Sequence, residues 1–284
     1  MATDTQERYS DWVGRRTVAE DGIALSTARA AASLFDRVDL ELGVGTPLPA
    51  LWHWFYFLPT APQSRLSRDG HPERGGFMPP IALPRRVFAG ARARFHGPLR
   101  IGVPARRQSE ILDVTLKSGR SGELAFVTVA HRIEQEGELC IDEERDIVYK
   151  EEGDPVPAPT TVEPEPVEAG MWERRVVPDP RLLFRFSALT FNAHRIHYDR
   201  PYAVDVEGYP GLVVHGPLTA MLLGELVRSH DPRPATAFSF RGRRPLFDLA
   251  PFRLLGRPGQ SGVELEARGP DDRAALTASL SWGD

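Results

Sequence analysis

Residues 186–226 read FSALTFNAHRIHYDRPYAVDVEGYPGLVVHGPLTAMLLGEL. Asn192, His194, His197 and Asp199 fall within eight residues, and three of the chain's 8 histidines lie in the stretch. It closes on an apolar run that opens at His215-Gly216. Pro217 suits the first turn of a helix, where its missing N–H costs nothing, so a helix is predicted through PLTAMLLGELV. Two readings of that start stand together. It is a plain helix N-terminus, or the Gly216 N–H is a donor to an anionic oxygen, set at the positive end of a helix dipole with no side chain barring a ligand. His197 is the candidate general acid/base, the usual work of an imidazole near neutral pH. Asn192 and His194 precede it in a turn, expected after a strand LLFRFSALTF. Asp199, followed by Arg200-Pro201, either orients a histidine or serves as a turn residue or surface ion pair. Three polar groups beside a helix start point to a site.

Upstream, residues 151–170 hold five prolines and six acids with no aromatic residue, the composition of an extended linker. It divides the chain into 1–150 and 171–284. Before it, ARARFHGPL, RRQSEILDVTLKSG and ELAFVTVAHRIEQEG alternate apolar and polar residues and predict an antiparallel sheet, with a hairpin turn at Lys117–Gly122 and a further strand in ERDIVYKE. After it, TAFSFRGRRPLF, APFRLLGRPG, GVELEARG and AALTASLSW repeat that style, so a weak internal duplication is expected. Ser26 is a candidate cap for a helix over TARAAASLFDRVDLEL, stopped by Gly43 and Gly45. The run PALWHWFYFL predicts a short buried helix, read either as core packing or as an aromatic wall for a ligand. Residues 60–86 have no periodicity and form a long loop, a length that tends to be functional or mobile.

Composition narrows the function. At 41% hydrophobic and 26% charged residues the chain has the make-up of a globular protein able to bury a core. A net charge of −4 argues against a nucleic-acid partner. No apolar run reaches the length of a membrane span, and the first residues lack an apolar signal core, so a cytoplasmic setting is expected. The single Cys140 excludes an internal disulfide and a Cys-rich zinc site. No P-loop, dinucleotide or His-Glu-x-x-His motif is present.

The motif resembles that of the MaoC-like, R-specific enoyl-thioester hydratases, in which Asp-x-Asn-x-x-His is followed by an apolar-His-Gly step. Here the first reads Asn192-Ala193-His194-Arg195-Ile196-His197 and the second Val214-His215-Gly216. The whole chain is similar to the branch of 3-hydroxyacyl-thioester dehydratases that includes mesaconyl-C4-CoA and itaconyl-CoA hydratases. The resemblance implies an α+β double hot-dog. Each half would be an antiparallel sheet around a central helix, near PALWHWFYFL in the degenerate N-terminal half and at PLTAMLLGELV in the other. It implies reversible hydration of an enoyl-CoA thioester, with a short dicarboxyl acyl-CoA such as mesaconyl-C4-CoA or itaconyl-CoA as the expected substrate. A general 3-hydroxyacyl-thioester dehydratase, a thioesterase and a partner-dependent subunit are the alternatives. CoA belongs to the substrate, and no separate cofactor or metal is implied. By position His197 and Gly216 keep the family's roles, while Asn192 replaces its catalytic Asp and His194 its Asn. An amide takes no proton as a carboxylate does, so Asn192 orients water or substrate with His197 or Asp199 as base, or activity has been lost. His194 and His215 are candidates for substrate contact. Arg195 is read as a partner for a substrate carboxylate or as a surface residue. Arg92, with Arg85, Arg86 and Arg94, is a candidate for the CoA phosphates. A homodimer is expected, with no nucleic acid or membrane partner.

Overall fold

Alternation of apolar and polar residues produces long strands here, and the strands form one sheet. The computed structural model describes residues 9–119 and 122–283. The N-terminal half contributes β1 (Arg16–Asp21), β2 (Arg85–Phe95), β3 (Ala105–Gly119), β4 (Gly122–Gln135) and β5 (Glu138–Lys150), and the C-terminal half β6 (Trp172–Val176), β7 (Ala235–Gly242), β8 (Phe252–Pro258), β9 (Gly262–Arg268) and β10 (Ala274–Trp282). The order across the sheet is β1-β3-β4-β5-β2-β7-β10-β9-β8-β6. Each half runs first-third-fourth-fifth-second from its own outer edge. The repeat read weakly from the sequence is thus present as topology. The equivalent strands β2 and β7 meet antiparallel at the seam, with Ala91 opposite Phe240 and Ala93 opposite Phe238. The tip of the predicted 117–122 hairpin lies partly outside the described residues, but its two strands pair as expected.

The C-terminal half wraps its sheet around α3 (Gly216–His230), numbered after α1 (Leu25–Leu34) and α2 (Pro180–Leu189). Every residue from Leu218 to Val227 is buried, the pattern of a helix with protein on all sides. Its one buried acid, Glu225, accepts from Trp52 Nε1 at 2.8 Å and from Arg37 at 2.9 Å, tying this helix to the other half. The N-terminal half has no such helix. WHWF forms a single 3₁₀ turn, Trp52–Phe55, entered through Leu51 at φ +71°. Phe57, at φ +54°, ends it on the other side, so left-handed residues bound the turn at both ends. The double hot-dog is present with one central helix shrunk to a turn, and the aromatic run packs as core.

Two further elements differ from expectation. The first helix stops at Leu34 rather than near Leu42, because Asp36 takes a left-handed φ of +56°, and Ser26 lies inside it rather than at its cap. LLFRFSALTF is the helix α2, not a strand. Asp179 caps it, accepting from Leu182 N at 2.9 Å, Pro180 opens it, and Leu183, Phe186 and Ser187 are its buried face. Residues 151–168 carry no helix or strand. They are strapped to the C-terminal half, as by Val156 N–H to the Gly208 carbonyl at 2.8 Å and Val162 N–H to the Pro270 carbonyl at 2.9 Å. No helix among the described residues is long and apolar enough to cross a membrane.

Candidate active site

The end of α2 turns sharply at Phe191, φ +50°, and delivers the motif to the start of α3. Asn192 Oδ1 accepts from the His194 backbone N–H at 2.9 Å, a local turn that uses the amide oxygen structurally. Residues 195–197 make one 3₁₀ turn. The Val213 N–H then bonds the Ile196 carbonyl at 3.0 Å, and His197 Nδ1 bonds the Val213 carbonyl at 2.7 Å. A carbonyl only accepts, so Nδ1 carries the proton and Nε2 the lone pair. Burial, with His194 nearby, pushes His197 down to about 3. At neutral pH it is an uncharged base.

His215 lies behind it. Its ring stacks on His197 at 3.6 Å between centroids, its Nε2 bonds Ser187 Oγ at 2.9 Å, and Phe186 packs against it at 4.8 Å. Only 1% of His215 is exposed, and it lies on the core side of His197, where sequence reading expected a substrate contact. Gly216 follows as the first residue of α3, where an amide has no helical acceptor one turn back. The nearest atom to a Cβ there would be the Phe88 carbonyl oxygen at 3.6 Å.

The 60–86 loop supplies what the motif lacks. Asp69 and His71 are bonded through Oδ2 and Nδ1 at 2.9 Å, and the His71 ring lies against His194 with centroids 4.1 Å apart. His194 meets His197 edge-on at 5.3 Å. Four imidazoles thus run His71, His194, His197, His215 from the loop to the central helix. The loop is held tightly. The Asp69 carbonyl accepts from Arg195 N at 2.9 Å, and a Cβ on Gly70, φ +92°, would stand 1.8 Å from the Ala193 carbonyl oxygen. Only glycine fits so close an approach. Burial works against the Asp69 carboxylate, but the hydrogen bond and charge of His71 outweigh it and hold its pKa below the ordinary value. Burial lowers His71 against the pull of Asp69, and burial with His71 nearby pushes His194 down to about 3. Asp69, His71 and His194 also bring three ligand atoms within 4.8 Å of one another, the described group best arranged for a metal ion. Sequence reading missed this pair. The available signal was Asp69-Gly70-His71, a carboxylate, a glycine and an imidazole inside a loop too long to be a mere connection.

The remaining candidates lie apart from the row. Asp199 pairs with Arg195 at 2.7 Å and accepts from the Tyr202 N–H. The hydrogen bond from Arg195 lowers its pKa, and it stands in an ion pair and a turn. Arg195 is further held by the Arg68 carbonyl and lies over the Tyr202 ring at 4.0 Å. Arg92 sits on the sheet face opposite the buried Ala91 and Ala93, paired with Glu144 at 2.8 Å and Asp146 at 2.6 Å. Arg94 alternates onto that same exposed face. Neither faces α3, so they are not beside the row. Arg85 is bonded to the Glu207 carbonyl at 2.7 Å and lines, with Arg68, Asp69, Arg74 and Tyr202, a cleft of about 260 Å³. Arg86 is half-buried and, among the described residues, has neither a carboxylate nor a hydrogen-bond partner; its guanidinium lies over the Tyr149 ring at 6.0 Å.

Comparison with known proteins gives this geometry a family. The mesaconyl-C(4)-CoA hydratase of Chloroflexus aurantiacus is 64% identical over 272 residues, 96% of this chain and 97% of that one. The mitochondrial hydroxyacyl-thioester dehydratase type 2 of Schizosaccharomyces pombe is 28% identical over 74% of this chain and 77% of its own. Among solved structures, HtdX of Mycobacterium tuberculosis superposes with a TM-score of 0.68 at 17% identity, covering 95% of this chain and all of that one. A second protein of that organism, described as a double hot-dog, gives 0.61 at 15% identity over 95% of this chain and 96% of its own. These two speak to the fold. The hydroxyacyl-thioester dehydratase type 2 family model matches residues 51–248, which takes in the Asp69–His71 loop, the histidine motif and Gly216, and the chain belongs to that family of hydro-lyases.

Proposed function

We propose that the protein reversibly hydrates the double bond of a short enoyl-CoA that carries a second carboxylate, with mesaconyl-C4-CoA the first candidate and itaconyl-CoA the second. What carries this reading is the 64% identity to a mesaconyl-C(4)-CoA hydratase along nearly the whole of both chains. What supports it in the site is a neutral, buried His197 beside the free N–H at the start of α3. Water adding at the β-carbon turns the thioester into an enolate, whose oxygen needs a donor. Gly216 N–H is that donor, and His197 Nε2 holds the attacking water by its lone pair. The N-terminal aromatic turn backs the histidine row from the core side, Phe55 packing on Phe186 at 5.8 Å and Phe186 on His215.

The second carboxylate needs a cation. Arg195 is already held by Asp199. Arg86 has no acid partner among the described residues, and its charge acts on both His71 and His194. In this reading Arg86 takes the carboxylate. The test is turnover of mesaconyl-C4-CoA, itaconyl-CoA and crotonyl-CoA by wild type and Arg86→Ala. Loss of a charge-assisted bond of about 2 kcal/mol lowers kcat/KM roughly 30-fold for the dicarboxyl substrates and leaves crotonyl-CoA near its wild-type rate. Equal loss on all three would remove Arg86 from this role. Preference of the wild type for crotonyl-CoA would favour a general 3-hydroxyacyl-thioester dehydratase, the activity in the name of the fission-yeast relative. Release of free CoA would favour a thioesterase.

A further inference from the structure

We infer that His71, held by Asp69, is a catalytic base and acid of this site, supplied by the N-terminal half in place of the carboxylate that Asn192 cannot provide. The inference rests on the hydratase reading and completes it.

The motif leaves a gap in the proton inventory. Asn192 cannot take a proton, and its Oδ1 is spent on the His194 N–H. Asp199 is spent on Arg195. Among the described residues, the only carboxylate bonded to a histidine of the row is Asp69. Its bond to Nδ1 fixes the His71 tautomer, leaving Nε2 with the lone pair, as an orienting carboxylate does for a catalytic imidazole. His71 is also the most open member of the row, its side chain 21% exposed, whereas His194 and His197 are each 8% exposed. The contact is built rather than incidental. Asp69 receives the His71 backbone N–H as well, at 3.0 Å. The Arg195 N–H and the Gly70 approach then clamp the loop onto the motif.

The step balances without another reactant. The water held through one hydrogen by His197 Nε2 gives its other proton to His71 Nε2 as that O–H bond breaks, and the oxygen bonds the β-carbon. The alkene electron pair moves to the thioester enolate, with its oxygen on Gly216 N–H. The imidazolium, facing Asp69, then returns a proton to the α-carbon, and His71 is regenerated. Both hydrogens of water end on the product, one on the new hydroxyl and one at the α-carbon. In the dehydration direction the same atom removes the α-proton and protonates the leaving hydroxyl. Asp69 acts through His71 and is a positioning residue.

The experiment compares wild type, His71→Ala, Asp69→Asn, the double variant and His197→Ala in hydration of mesaconyl-C4-CoA, with thermal melting as the folding control. His71→Ala is expected to lose roughly a hundredfold or more in kcat with KM changed less than threefold, and to regain rate in added imidazole. Asp69→Asn is expected to lower kcat roughly tenfold with KM unchanged and to add nothing in the His71→Ala background. His71→Ala within threefold of wild type, beside an inactive His197→Ala, would overturn the inference and leave the hydratase reading intact. Inactivation of wild type by a chelator, reversed by zinc, would overturn it in favour of a metal held by Asp69, His71 and His194. A wild type inactive on every enoyl-CoA offered would overturn the hydratase reading and this inference with it.

Discussion

His197 and His194 are held near a pKa of 3 because folding takes them out of water, against 6.5 for an ordinary imidazole. In the unfolded chain both regain the ordinary value. Between those limits the unfolded chain binds protons that the native one does not, so stability is full above about pH 6.5 and falls as the pH drops toward 3. Each such histidine costs about 1.4 kcal/mol per pH unit over that window. Urea midpoints at pH 7 and pH 5 should therefore differ markedly in wild type, and His197→Gln should remove about 1.4 kcal/mol per pH unit from that dependence, the share of one buried histidine among several. At this scale the placement of the motif was legible. His197 and Gly216 stand where the motif put them, because a short motif and a helix start are local in sequence. The role of His215 was not, since which face of an imidazole meets Ser187 and Phe186 is decided by α2. Asp69 and His71 were not, since they lie more than a hundred residues before the motif and reach it only through a glycine conformation that leaves no periodic trace.

Among the elements, the WHWF turn stands where the C-terminal half has its long helix, and it brings polar groups inward with it. Trp54 Nε1 donates to Glu143 at 2.6 Å, Arg145 pairs with the same carboxylate at 2.8 Å, and His53 lies 3.4 Å from it. Burial opposes the charge on Glu143, but Arg145 and His53 outweigh it and hold its pKa below the ordinary value. Removing one member strands the others in a dry interior. Glu143→Ala is expected to cost about 3–5 kcal/mol, read as a fall in the urea midpoint with an unchanged slope. Double replacement with Arg145→Met should recover part of that loss. The aromatic run announced burial but not this acid, because Glu143 sits in the charged run Asp142–Asp146 of β5, which reads as solvent-facing. LLFRFSALTF misled for a related reason: its bulky residues fit either period, and Asp179-Pro180, a cap followed by a first-turn proline, was the signal that decided it.

At the scale of the molecule the two halves are one sheet joined through β2 and β7, and the histidine row is drawn from both. The 151–170 segment adds covalent continuity and a few backbone bonds. A single proteolytic cut there should leave both fragments together as one species in gel filtration, with hydration activity within about twofold of the uncut chain and separation only in denaturant. Topology of this kind was legible only as two runs of strands; the shared seam follows from register, which no local pattern states. The seam also sets an order on biosynthesis. A ribosome releases β2 about 140 residues before β7 exists. Through that interval β2 is a bare edge, the kind of template on which nascent chains pair with one another. Arg85, Arg86, Arg92 and Arg94 place four positive charges along that strand, the device by which an open edge repels its own copies. The residues that end in the middle of the finished sheet thus begin as the charge along an unfinished edge.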